Sequence, residues 1–126
     1  MSEFKAPAVE YNNYLIVPFE DSLDDEKIQN LKSWIIEKIC RHENLRGVVL
    51  DLSAVRLVDS YIARILGEIA SSLFMEGTRC VISGIRPEVA ITLVEMGVVL
   101  SEIPTALNVD HAVELLESTL ESDYSG

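Results

Sequence analysis

The chain has 126 residues, 48% of them hydrophobic and 6% aromatic, which suits one domain with a core of Ile, Leu, Val and Ala. Ten Lys and Arg stand against 21 Asp and Glu, a formal net charge of -11. Phosphate backbones and anionic lipid would repel such a chain, so nucleic acid and membrane surfaces are excluded as partners. No run approaches the ~18 apolar residues of a membrane helix. Met1-Ser2-Glu3-Phe4-Lys5 does not open a secretory signal. A cytoplasmic protein is expected. Cys40 and Cys80 have no CxxC spacing and apolar neighbours. One disulfide is possible on paper, but reduced, buried thiols are the expected state.

Ala6-Pro7-Ala8-Val9 is expected to lie extended at a sheet edge, and Tyr14–Pro18 (YLIVP) reads as a strand. Ser22-Leu23-Asp24-Asp25 looks like a helix start, with carboxylates where the dipole favours them. Ile28, Leu31, Ile35, Ile36, Ile39 and Cys40 then form one helical stripe with Trp34 at its edge. Gly47–Leu52 is a continuous apolar run, as in a strand covered on both faces. A second helix opens after Asp59-Ser60. Its stripe is Ile62, Ile65, Leu66, Ile69, Ala70, Leu73 and Phe74, with Arg64, Glu68, Ser71 and Ser72 opposite and Gly77 at its end.

Cys80–Ser83 is a further strand, broken by Gly84. Pro87 opens the next helix, which carries Ala90, Leu93 and Val94 and stops at Gly97. Val98-Val99-Leu100 is a short edge strand or an extended connector. Asn108 caps a last helix bearing Ala112, Val113, Leu116 and Leu120, with Asp110 in its first turn. The alternation predicts an α/β fold, a mainly parallel sheet packed by about four helices. One domain spans 1–126, its core 8–120, with a frayed acidic tail over 121–126.

Chemistry is sparse. GxxxxGK[ST], GxGxxG and GxSxG are all absent. His42 follows the first helix and His111 opens the last, neither with a partner at ligand spacing, so no metal or other cofactor is expected. Ser60 has no evident base, which argues against a hydrolase, and the acidic pairs Asp24-Asp25 and Asp51/Asp59 read as helix-start and strand-end carboxylates. What stands out is Asp51 to Ser60, running from the carboxyl end of a buried strand into a helix, where open α/β sheets usually meet ligands and modifications. Periodicity alone favours a plain helix cap at Asp59 or Ser60.

The stretch DLSAVRLVDSYIARILGEI, Asp51–Ile69, resembles the signature of the STAS domains of anti-sigma-factor antagonists. SGIRPEVA, Ser83–Ala90, with TLVEMG, Thr92–Gly97, resembles the stressosome branch, and a lone domain with serine at position 60 is most similar to the RsbS type. RsbR-type members carry an N-terminal sensory domain for which this chain has no room. The likeness runs from about Tyr11 to Leu120. It implies a SpoIIAA-like fold and a non-enzymatic scaffold that co-assembles with RsbR-like STAS proteins as a homo- or hetero-oligomer. It further implies that an RsbT-like serine kinase is sequestered, phosphorylates Ser60 and departs, switching partners in a stress or sigma-factor cascade, and that a serine phosphatase resets Ser60. Asp59, Arg56 and Arg86 are candidate partner contacts. The alternative is a stand-alone SpoIIAA-like antagonist binding an anti-sigma kinase.

Overall fold

The computed structural model describes residues 6–21, 23–41 and 44–125, with side chains to 118 except at 101. Ser22 and His42, and the side chains of Leu120 and the acidic tail, lie outside the described residues. Five strands form one sheet in chain order: β1 (Val9–Tyr11), β2 (Tyr14–Pro18), β3 (Gly47–Asp51), β4 (Cys80–Ser83) and β5 (Thr105–Ala106). β2 to β5 run parallel, and only β1 is antiparallel. Between them lie α1 (Asp25–Arg41), α2 (Ser60–Met75) and α3 (Pro87–Glu95), with α4 (Val109–Ser125) last.

The apolar runs are explained by burial on both faces. Leu15 and Val17 of β2, Val48 and Leu50 of β3 and Ile82 of β4 point to one side, where they pack with residues of α1, α2 and α3. Their alternates Tyr14, Val49 and Val81 point to the other side, against Ala112, Val113 and Leu116 of α4. A strand between two helical layers needs apolar residues at every position, so its sequence cannot alternate.

Several expectations shift in detail. The edge strand begins at Val9 and joins β2 through Asn12 and Asn13, at φ 51° and 67°. Two successive left-handed residues make the tight turn whose twist matches paired strands, and Asn tolerates that conformation. The last edge strand is Thr105–Ala106, not Val98–Leu100. Residues Leu100–Glu102 instead form a short 3-10 turn, and Val98 packs beside Gly67 of α2, 3.9 Å from where a Cβ would stand. That segment covers a helix rather than extending the sheet. Helix α4 continues past residue 120 to Ser125.

The stripe on α2 is correct through Leu73, but Phe74 is 83% exposed, and Ala63 is buried in the core. Alanine is too small to advertise a core position, and aromatic character does not guarantee one. Val94 of α3 is likewise exposed, with Val89 and Leu93 facing inward. Cys40 is exposed, against the expectation of two buried thiols. It lies where the α1 stripe leaves the core. Cys80 is half-buried, and burial pushes its thiol up to about 12. Both cysteines are free.

Candidate functional site

The carboxyl ends of β3 and β4 meet at Asp51 and Ser83, which are register partners. The Asp51 carboxylate collects three donors: Ser83 Oγ at 3.0 Å and Ser53 N at 3.3 Å on Oδ1, and Ser53 Oγ at 3.0 Å on Oδ2. Ser83 is the buried polar residue of the core among the described residues, and Asp51 accepts from its hydroxyl. Gly84, at φ +68°, passes so close that a Cβ would stand 2.8 Å from Ser53 Cβ and 3.1 Å from Asp51 Oδ1. Strand ends, glycine and carboxylate together fix where the chain leaves β3.

From Leu52 the main chain turns toward α2. Val55 N donates to Leu52 O at 3.0 Å, and both side chains are buried. Beyond them, Arg56 N and Leu57 N both donate to Asp21 Oδ1, at 2.7 and 3.3 Å. Asp59 is the cap of α2, its Oδ1 accepting from Ile62 N at 2.8 Å. The cap that periodicity assigned to Asp59 or Ser60 is thus Asp59. Ser60 is the first helical residue and is exposed.

Arg86 ends the β4–α3 loop. It is half-buried, and one terminal nitrogen donates to Ser53 O at 3.4 Å. Its Nε is buried without a partner among the described residues. Arg56 is exposed. Both arginines bear on the same loop: Arg56 lies in it, and Arg86 reaches it at Ser53 O. The structure therefore brings Arg56 and Arg86 to the loop that carries Asp59 and Ser60, with Arg86 tied to main chain. Sequence reasoning missed Asp21 and the part played by Ser83 and Gly84. Their only sequence signal is an acidic or small residue just past a strand end.

The N–H of Arg56 holds the Asp21 carboxyl below its ordinary 3.8, against some desolvation and with help from Leu57 N–H and the two arginines. A carboxyl whose folded value is depressed contributes stability above its unfolded value, and that contribution is lost as pH falls through the folded one. Glu68, hydrogen-bonded to Lys32 at 2.6 Å, is shifted in the same direction. In an acid titration the Arg56 and Leu57 amide resonances should therefore move together, with a midpoint below 3.8. A midpoint at or above that value in the folded protein would contradict the assignment.

Among the described residues no group of three or more His, Cys, Asp and Glu could hold a metal, and no helix is long and apolar enough to cross a membrane. His111 is used locally, its Nδ1 accepting from Leu107 N at 3.1 Å.

A parallel sheet with a capped helix and an exposed serine at its carboxyl edge describes a small α/β domain whose distinctive surface is one loop. The chain belongs to the STAS domain family, whose model matches residues 5–112. The fold is similar to that of an RsbS from Moorella thermoacetica carrying a serine-to-glutamate substitution, at 32% identity and a TM-score of 0.88 over 94% of this chain and 99% of that one. It is also similar to a chain of the stressosome, described as a signal integration and transduction hub. That match has 34% identity and a TM-score of 0.83, over 90% of this chain and 98% of that one. In sequence it is 26% identical over 106 residues to the RsbT co-antagonist protein RsbRA of Bacillus subtilis (strain 168). The match takes in 83% of this chain but only 38% of that relative's length.

Proposed function

We propose that this chain is a non-enzymatic, cytoplasmic scaffold of a stressosome-type assembly. It co-assembles with RsbR-like STAS proteins and holds an RsbT-like serine kinase until that kinase phosphorylates Ser60. A serine phosphatase resets the site. The observation that carries this reading is the exposed hydroxyl of Ser60 at the start of α2, in a chain 32% identical to an RsbS over nearly the full length of both. That relative bears glutamate in place of a serine.

The physics supports a signal read by a partner. Phosphate adds about -1.5 to -2 charges and three acceptor oxygens. A helix start tolerates an anion through its dipole. Asp59 already occupies the Ile62 N–H, so the new charge is offered outward rather than absorbed by the cap. A kinase surface fitted to a neutral hydroxyl then meets an unpaired anion whose desolvation is costly.

Incubation with an RsbT-like kinase and ATP should add one phosphate to the wild type and none to Ser60→Ala. The alanine variant should stay folded, since the cap belongs to Asp59. Equal labelling of both proteins would reject Ser60 as the site. Ser60→Asp should keep or slightly raise stability, by about 0.3–1 kcal/mol from the dipole. It should also weaken kinase binding in a titration, less than phosphate itself does. Undiminished binding by both the folded aspartate variant and the phosphorylated protein would rule out charge as the release signal. Mixing with an RsbR-like partner should give very large particles on size exclusion, whereas a stand-alone antagonist would give a small complex.

A further inference from the structure

Apolar contacts hold the segment that delivers Ser60 on either side of residues 56 and 57 but not at them. Leu52 and Val55 are buried and Val58 is partly buried against the core, but Leu57 is 80% exposed and Arg56 is also exposed, so apolar burial does not anchor residues 56 and 57 themselves. No regular secondary structure spans Leu52 to Asp59. Among the described residues, the main-chain N–H groups of Arg56 and Leu57 have a single acceptor, Asp21 Oδ1, which is 35 and 36 residues away in sequence. One carboxylate thus ties the loop before α2 to the segment between β2 and α1. Its ionised form is favoured by those two donors and by the charges of Arg56 and Arg86. Arg86 clamps the other end of the same loop at Ser53 O.

We propose that Asp21 is a positioning residue for Ser60: its carboxylate latches the β3–α2 loop by the main chain and so sets how the serine is presented to a kinase. The proposal rests on the reading of Ser60 as the modified group. The latch itself is a property of the chain alone. Backbone N–H groups facing a carboxylate make strong, charge-assisted bonds that no residue at positions 56 or 57 need specify. Without the latch the chain at Arg56 and Leu57, between the buried Val55 and the partly buried Val58, samples open forms, and a kinase must select the closed one from a mixture.

Two measurements test it on the full chain, using Asp21→Ala and the acceptor-retaining Asp21→Asn. Trypsin cuts after exposed arginines only when the local chain opens, so the 57–126 fragment reports the latch without any kinase. Nicking after Arg56 should accelerate about tenfold in the alanine variant, with the asparagine variant in between and the thermal midpoint little changed. With an RsbT-like kinase, kcat/KM for Ser60 should fall by a similar ~10-fold in the alanine variant and recover in part with asparagine. Nicking rates equal to the wild type overturn the latch, whatever the kinase does. Faster nicking with unchanged kcat/KM overturns the positioning role. If trypsin nicking changes as expected but the wild type is never phosphorylated, the reading of Ser60 fails, and the positioning role fails with it.

Discussion

Ile69→Ala is expected to destabilise the domain by about 2–5 kcal/mol. Ile69 is wholly buried on the inner face of α2, in the cluster formed with β2, β3, β4, α1 and α3. Removing its outer carbons loses their transfer energy and leaves a cavity that a close-packed sheet and three helices cannot collapse to fill. The same helix supplies its own control. Phe74 is larger than Ile69 but 83% exposed, so Phe74→Ser should stay within about 0.5 kcal/mol of the wild type. Denaturant melts of the two variants rank the faces directly. A costlier change at Phe74 than at Ile69 would mean that α2 is rotated about its axis, with Phe74 turned inward.

Gly84→Ala is the second large effect. Its φ of +68° requires the left-handed region, which costs an L-residue roughly 1–2 kcal/mol. The new methyl would also stand 2.8 Å from Ser53 Cβ and 3.1 Å from Ser53 Cα, and the latter is backbone that no side-chain rotation can move. Overpacking of this kind costs about 1–3 kcal/mol more. Gly77 separates the two causes: it has φ +73° and nothing within 4 Å of a built Cβ. Gly77→Ala should thus show the backbone cost alone, and Gly84→Ala should melt several degrees lower still, by roughly 5–10 °C. Equal midpoints for the two variants would show that the loop yields freely to Gly84. Because Ser53 is the residue displaced, the loss at Gly84 should spread to the loop ahead of Ser60.

Local rules make much of this molecule legible in its amino-acid sequence. The helical stripes of α1 and α2, the strands β2 to β4, a cap at Asp59 or Ser60 and the cap at Asn108 all follow from interactions within a few residues. Each leaves a periodicity or a residue type behind. Asn108 Oδ1 does accept from His111 N at 2.9 Å. The uninterrupted apolar runs announce a sheet covered on both faces, and the motif around Asp51–Ile69 points to the STAS family.

Tertiary structure decided the remainder, because those features depend on what arrives from elsewhere in the chain. β5 has only two residues, too few for any pattern, and exists because Thr105 and Ala106 meet Ile82 and Ser83. Phe74 continues the apolar spacing of α2 yet finds no layer above it, whereas Ala63 is buried because the neighbouring elements close over it. The polar support of the site is equally nonlocal. Asp21 reaches main chain 35 residues on, Ser83 reaches Asp51 across 32, and Arg86 reaches Ser53 across 33. A carboxylate or small residue at a strand end looks the same in sequence whether it meets solvent or a returning loop. Only parallel strands ending at one edge, in register, bring these residues around the segment that leads into Ser60.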